Sequence, residues 1–219
     1  MALNKSKGNM YEFVTHTWNT VKGKCGHGCS YCYMKRFGNQ NAFRFDRLEM
    51  DTDLDEGNII FVGSSNDMFA NCIPSDWIQA TIDHCCKFYN LYLFQSKNPK
   101  RMLHFKLPSD SNICTTIETN RHYLDIMANS PTPQERANAM EQLSKKYPTM
   151  VTIEPILDFD LEEMVALIKQ CAPIQVNIGA DSGNNKLPEP SKEKIEALIY
   201  ELMKFTRIDK KRNLGRIMR

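Results

Sequence analysis

Short apolar runs recur along this chain and alternate with longer amphipathic stretches. The runs are rich in β-branched and aromatic residues, which favours buried strands. Most of them lie about 30–40 residues apart, which is the size of a βαβ unit. We therefore predict six strands, and they are Phe13–Thr20, Asn58–Val62, Leu91–Phe94, Asn112–Ile117, Met150–Ile153 and Ile174–Ile178.

The stretches between these runs predict helices, and two of them open on helix start signals. Ser75 is expected to cap a helix that continues to about Phe88, and Ser191 to cap one that continues to about Phe205. The further predicted helices are Tyr33–Phe37, a short one from Pro99, Arg121–Met127, Thr132–Lys146 and Leu161–Cys171. An additional edge strand is predicted over Phe43–Glu49.

This order of elements predicts an α/β fold with a parallel sheet and helices outside it. Crossovers between parallel strands are right-handed, so successive units curl in one direction. Six units are too few to close an eight-stranded barrel, and we expect a partial (β/α)6 TIM-like barrel. A single domain over residues 1–219 would contain a core of about 13–206 and a basic tail of 207–219. Working residues in such barrels lie on the loops after the strands.

Composition is that of an ordinary globular protein. The 219 residues are 42% hydrophobic and 25% charged, and the net charge of +2 does not by itself demand a polyanionic partner. No apolar run approaches the ~18 residues of a membrane span, and no secretory signal is recognisable. We therefore expect a cytoplasmic protein without a membrane partner, whose cysteines are reduced.

One loop carries the strongest chemical signal. Its sequence, K-C-G-H-G-C-S-Y-C-Y, places Cys25, Cys29 and Cys32 in a C-x3-C-x2-C pattern. Thiolates are soft ligands that suit iron–sulfur clusters and zinc. The two glycines allow the backbone to fold back, so that three sulfurs can converge on one object. Three thiolates cap three corners of a [4Fe-4S] cluster and leave one iron open to a small molecule.

Two other interpretations of this loop stay open. A zinc site could use the three cysteines and His27, although that histidine lies midway between two of them and no separate C-x2-C pair accompanies the motif. Cys29 and Cys32 also form a C-x-x-C, the pattern of a redox dithiol, which does not need Cys25. The three-cysteine spacing favours the cluster over both.

The same residues resemble a known signature. The C-x3-C-x2-C pattern, with Tyr31 directly before its third cysteine, resembles the motif of the radical SAM superfamily. Tyr31-Cys32-Tyr33 is similar to the loop of spore photoproduct lyases and of small phage-encoded radical-SAM-like proteins. The resemblance implies a partial barrel that binds a [4Fe-4S] cluster and S-adenosylmethionine (SAM).

The resemblance also implies a reaction. SAM would chelate the open iron through its amino and carboxylate groups. An electron from the cluster would then cleave SAM to methionine and a 5′-deoxyadenosyl radical, which abstracts hydrogen from a substrate. An electron donor such as flavodoxin or ferredoxin is the expected partner, in a cytoplasm that would be a host's if the chain is phage-encoded.

Polar residues follow the second and third predicted strands, where the resemblance implies contacts with SAM. Ser64, Ser65 and Asp67 lie where a glycine-rich, acid-containing stretch binds the amino group, with a turn-forming role as the alternative. Lys97 would hold the SAM carboxylate, and a surface lysine is the alternative. The resemblance places Tyr31 in the same site.

Three later strands also end in polar residues. Thr116 and Glu118 would contact the ribose and methionine parts of SAM, or simply face solvent by strand alternation. Glu154, followed by proline, would point into the barrel mouth or complement the next helix dipole. Asn177 and Asp181 would line the adenine or substrate side, or belong to a turn.

The end of the chain is basic. A solvated helix end is the default interpretation of Lys204–Arg219, and contact with nucleic acid is the sharper one. Two functions therefore follow from the sequence. The first is a radical SAM enzyme acting on an unidentified substrate such as a nucleic acid or a peptide. The alternative is a non-catalytic, zinc- or cluster-stabilised module that binds nucleic acid.

Overall fold

A computed structural model describes residues 3–6 and 11–219. The strands in these ranges are β1 Asn4–Lys5, β2 His16–Trp18, β3 Val21–Lys22, β4 Arg44–Phe45, β5 Ile59–Val62, β6 Leu91–Gln95, β7 Ser111–Thr116, β8 Thr149–Ile153, β9 Gln175–Ile178 and β10 Arg207–Lys210. The α-helices are α1 Ser75–Cys85, α2 Pro99–Met102, α3 Leu124–Met127, α4 Pro133–Leu143, α5 Leu161–Gln170 and α6 Lys192–Leu202. Three 3-10 helices in the described ranges cover Tyr33–Phe37, Arg47–Asp51 and Arg212–Arg216.

One sheet organises the molecule. Its order is β1-β2-β5-β6-β7-β8-β9-β10, and every neighbouring pair is parallel except β1 and β2. The strand order follows the chain order, as expected when each crossover turns in the same direction. The predicted parallel sheet with helices around it is therefore confirmed, and each of the six predicted runs overlaps a strand of it.

The two faces of the sheet are buried in different surroundings. Side chains alternate between the faces of a strand. On one face, Ile60, Ile113 and Val151 belong to the large core that the helices cover. On the other face, Phe61 and Cys114 belong to a smaller cluster inside the curve of the sheet.

The helices bury an apolar stripe each, and α4 begins with a capping box. The Thr132 hydroxyl accepts a hydrogen bond from the Glu135 amide, while the Glu135 carboxylate accepts one from the Thr132 amide. Such a box satisfies two amide donors that a helix start would leave unpaired. Further along α4, Met140 is completely buried against the sheet.

Several predicted boundaries are wrong. The first strand covers only three of its predicted residues, His16–Trp18. Ser75 is the first residue of α1 rather than its cap, and Pro74 precedes it without a capping side chain. Within the predicted edge strand, only Arg44–Phe45 forms a strand, and it pairs with β3 outside the main sheet.

The largest correction concerns the basic tail. Residues 207–210 form β10, which pairs in parallel with β9 through Ile208↔Val176 and Asp209↔Asn177. After it, Leu214 is buried in the main core. The core therefore extends beyond residue 206, and the interpretation as a solvated helix end is wrong. No helix within the described ranges is long and apolar enough to cross a membrane.

Candidate active site

Polar side chains from successive strands gather at the carboxyl ends of the sheet, next to the cysteine loop. Several contacts tie the loop to these ends, among them His27 to Asp67 after β5, Tyr31 to Glu118 after β7, and the Tyr33 hydroxyl to the Ser64 carbonyl oxygen at 2.7 Å. Because the carboxyl ends of parallel strands meet at one edge, these residues form a single region.

The cysteine loop is fixed by its backbone. The Ser30 amide donates to the Ile126 carbonyl at 2.9 Å, and the Asn129 amide donates to the His27 carbonyl at 3.0 Å. Gly28 has a φ of +73°, which favours glycine. At Gly26, a Cβ atom would lie 2.5 Å from the Cys72 sulfur, so a side chain there would require the Cys72 side chain to shift.

The three thiols differ in exposure. Cys29 is buried and lies 3.4 Å from the Ser130 hydroxyl, whereas Cys25 and Cys32 are half-buried. Burial, followed by the nearby Asp67 carboxylate, raises the pKa of Cys25 to about 11. Among the described residues, no three His, Cys, Asp or Glu side chains are arranged around a common point.

Asp67 holds the cysteine loop against the end of β6. Its carboxylate accepts hydrogen bonds from His27 Nε2 at 2.7 Å, from the Ser96 hydroxyl at 2.8 Å and from the Lys97 amide at 2.8 Å. Burial alone would raise the pKa of Asp67, but these donors hold it below its ordinary value. Since both oxygens are engaged, Asp67 orders the loop, and its contact with the SAM amino group stays a prediction.

Glu118 is the second anchor and is completely buried. Its Oε1 accepts from Lys97 Nζ at 2.8 Å and from the Tyr31 hydroxyl. Its Oε2 accepts from Arg136 Nη1 at 2.7 Å. Lys97 Nζ also lies 4.3 Å from the centre of the Tyr31 ring, a cation–π distance. Four side chains thus form one network behind the cysteine loop.

This network carries an unbalanced charge. Burial alone would raise the pKa of Glu118, but the Arg136 and Lys97 cations lower it to about 2. One carboxylate therefore faces two cations, and the group is left with a single net positive charge. An unbalanced charge in a poorly hydrated place favours a bound anion. Lys97 is the more accessible cation, with 16% of its side chain exposed against 0% for Arg136.

Glu154 is the third anchor and joins the end of β8 to the last segment of the chain. It accepts from Lys211 Nζ at 2.7 Å and from Asn213 Nδ2 at 2.6 Å. Gly179 leaves room for this carboxylate, because a Cβ atom there would lie 2.8 Å from the Glu154 Cδ atom. The segment predicted as a free tail thus contributes two side chains to the mouth of the barrel.

The remaining predicted residues are engaged locally. Asn19 Oδ1 accepts from the hydroxyls of Ser64 and Ser65, at 3.2 and 2.9 Å. The Asp181 carboxylate accepts a hydrogen bond from the Gly183 amide at 2.9 Å, as expected if Asp181 belongs to a turn. Their contacts with a ligand stay predictions.

Thr116 and Asn177 lie further inside the barrel. The Thr116 hydroxyl accepts from Gln95 Nε2 at 3.2 Å. Asn177 is completely buried and accepts from Gln175 Nε2 at 2.7 Å. Tyr11, whose hydroxyl donates to Gln95 Oε1 at 2.8 Å, fills the interior below them. Neither predicted residue faces open solvent.

Sequence reasoning missed Arg136, Lys211 and Asn213 as site residues. A signal existed for Arg136, because it precedes the buried Met140 and Leu143 by four and seven positions on α4. A charged residue on the apolar stripe of a helix indicates a buried partner. His27 was considered only as a zinc ligand, but its Nε2 is used by Asp67.

The residues fit a cluster and a carboxylate-bearing ligand by their chemistry. The loop supplies three thiols, and its Ser30 hydroxyl is buried without a hydrogen-bond partner in the described part of the chain. The net positive network with Lys97 suits an anionic ligand beside that loop. The thiols of the loop, the unsatisfied Ser30 hydroxyl and the net positive charge at Lys97 therefore all suit a cluster with an anionic ligand beside it.

Comparison with known proteins supports the fold. No protein-family model matches the chain, and no curated protein matches it in sequence. A spore photoproduct lyase mutant with bound AdoMet and dinucleoside spore photoproduct is similar, with a TM-score of 0.67 and 10% identity over 94% of this chain and 80% of that one. A spore photoproduct lyase complexed with dinucleoside spore photoproduct gives a TM-score of 0.66 at 10% identity, over 92% and 78%. The chain thus has the partial TIM-barrel fold found in radical SAM enzymes.

Proposed function

We propose that this protein is a radical SAM enzyme that binds a [4Fe-4S] cluster and SAM at the carboxyl ends of its strands. One observation carries the proposal: a loop with three cysteines is tied by His27 and Tyr31 to the strand ends of a partial barrel. A structural metal loop has no need of such connections. The fold shared with spore photoproduct lyase supports the same assignment.

Cys25, Cys29 and Cys32 would hold the cluster. When bound, the cluster and SAM together supply the 5′-deoxyadenosyl radical that abstracts hydrogen from the substrate. The protein's own contribution is to orient these groups and to exclude water from them. Asp67 serves this purpose indirectly, because it fixes His27 of the cysteine loop against the Lys97 backbone.

Lys97 would bind the SAM carboxylate. Its ammonium group is paired with Glu118, but Arg136 pairs with the other oxygen of the same carboxylate. A net positive charge therefore remains for an incoming anion. The Tyr31 hydroxyl contacts both Lys97 and Glu118, and so connects the cysteine loop to this binding group.

The substrate would enter at the strand ends near Glu154 and Asp181, with Thr116 and Asn177 toward the interior. The dinucleoside in the similar lyases makes a nucleic acid the first class to test, and a peptide the second. An electron donor such as flavodoxin or ferredoxin would reduce the cluster. A cytoplasmic location and a phage origin remain predictions.

Metal analysis after anaerobic purification tests the proposal. We expect brown protein with about four irons per chain and absorption near ~400 nm from iron–thiolate bonds. Cys29→Ala should lose the iron, and Cys171→Ala, at a buried cysteine far from the loop in sequence, should keep it. Colourless protein with one zinc per chain would support the non-catalytic alternative instead.

A further inference from the structure

A cavity of about 410 Å³ lies beside the N-terminal ends of α2 and α4. Pockets of about 300–1,000 Å³ accommodate small organic ligands. The residues that line it are mostly polar or basic, and they include Asn98, Lys100, Arg101, His104, Glu135 and Arg136. None of the cysteines or predicted SAM contacts belongs to this lining, and Arg136, which pairs with Glu118, is the residue that the cavity shares with the buried network.

Arg136 provides the main reason to expect a ligand here. Its side chain is completely buried, and it donates from Nε to the Pro131 carbonyl at 2.7 Å and from Nη1 to Glu118 at 2.7 Å. The remaining nitrogen, Nη2, is buried without a hydrogen-bond partner in the described part of the chain. Unsatisfied buried donors are costly and uncommon in native proteins, especially on a charged group.

Charge points to an anion. Arg136 is already paired with Glu118, but Lys100 and Arg101 face a single carboxylate in this lining, that of Glu135. The Glu135 carboxylate is already used at the start of α4, where it accepts from the Thr132 amide at 2.8 Å. Arg101 donates to backbone carbonyls, which are neutral, and so keeps its full charge.

The remaining donors decide the type of anion. The Asn98 side-chain Nδ2 donates a hydrogen bond to Asn71 Oδ1 at 2.8 Å, so this group is already engaged. Arg136 Nη2, which is buried, and the exposed Lys100 and His104 side chains are the groups of this lining that have no hydrogen-bond partner in the described part of the chain. A tetrahedral phosphate offers oxygens in several directions, and guanidinium and ammonium groups are its usual partners.

We propose that this cavity binds a phosphate group, either free or as part of a nucleotide. The volume exceeds what phosphate alone needs, so a nucleoside monophosphate is the ligand that fits best. The proposal does not depend on the radical SAM assignment, because it rests on residues outside the cysteine loop.

Calorimetric titration of the purified holoprotein tests it, with three probes: inorganic phosphate, adenosine 5′-monophosphate and a short single-stranded oligodeoxynucleotide. Adenosine without phosphate is the control ligand. We expect the monophosphate to bind and adenosine not to bind. Phosphate alone binding as tightly would identify a free-phosphate site, and tighter binding of the oligonucleotide would identify the phosphodiester backbone as the source.

Variants locate the site. Lys100→Gln should weaken binding of the best probe about tenfold, while Lys146→Gln, an exposed lysine on another surface, should not change it. Arg136→Gln should abolish binding, and its circular dichroism must first show a folded protein; if it does not fold, Lys100→Gln and His104→Gln carry the test. The proposal is overturned if no probe binds at millimolar concentration, or if Lys100→Gln and His104→Gln both bind as well as the unchanged protein.

Discussion

Glu118→Gln is the substitution that most directly probes the buried network. It keeps the shape of the side chain and removes the negative charge that Lys97 and Arg136 share. Removing one partner of a buried ion pair leaves an uncompensated charge, which typically costs ~3–5 kcal/mol. We therefore expect a folded but clearly less stable protein.

The pKa of Glu118 gives a second estimate of the same magnitude. Each pKa unit corresponds to about 1.4 kcal/mol, so lowering from 4.5 to about 2 amounts to roughly 3 kcal/mol. Because the folded-state pKa is depressed, this stability is fully present above pH 4.5 and is lost as the pH falls toward 2. The unchanged protein should lose this contribution in acid, and the variant should lack it at every pH.

Thermal unfolding followed by circular dichroism measures the effect. For a chain of this size, 1 kcal/mol shifts Tm by about 2–4 °C, so Glu118→Gln should lower Tm by roughly 6–12 °C at pH 7. Glu196→Gln, at an exposed position of α6, is the matched control and should leave Tm nearly unchanged. If Tm of Glu118→Gln also stays within about 1 °C, the network does not stabilise the fold and our reading of its charges is wrong.

Two further predictions concern Lys97 and the last strand. Lys97→Ala should weaken SAM binding ten- to hundredfold, about 1–3 kcal/mol, without changing the iron content; unchanged affinity by calorimetry would remove Lys97 from the site. Truncation after Thr206 should expose the edge of β9 and leave Glu154 without Lys211 and Asn213. We expect faster proteolysis and a lower Tm than in the full chain, and equal protease resistance would show that the segment is dispensable.

The fold was predictable because its parallel strands are apolar. A strand such as Ile59–Val62 is buried on both faces, so its composition alone distinguishes it from the surrounding helices. The last strand, Arg207–Lys210, could not be recognised in this way. It lies at the edge of the sheet, where one side needs no partner strand and the sequence R-I-D-K is mostly polar.

The site was predictable only in part, because pairing depends on positions distant in sequence. The strand-end rule identified Glu118 and Glu154 as candidates, since both follow apolar runs. Their partners are supplied by other elements: Arg136 by the helix α4 and Lys211 by the segment after β10. Only the packing of helices on the sheet brings these charges together.

Formation of 5′-deoxyadenosine decides whether this protein is a radical SAM enzyme. Cluster-loaded protein should be incubated anaerobically with SAM and dithionite, and the products separated by chromatography. We expect 5′-deoxyadenosine from the unchanged protein and from Cys72→Ala, and none from Cys25→Ala, Cys29→Ala or Cys32→Ala. If the unchanged, iron-loaded protein formed no 5′-deoxyadenosine, or if Cys29→Ala formed as much, the assignment as a radical SAM enzyme would be contradicted.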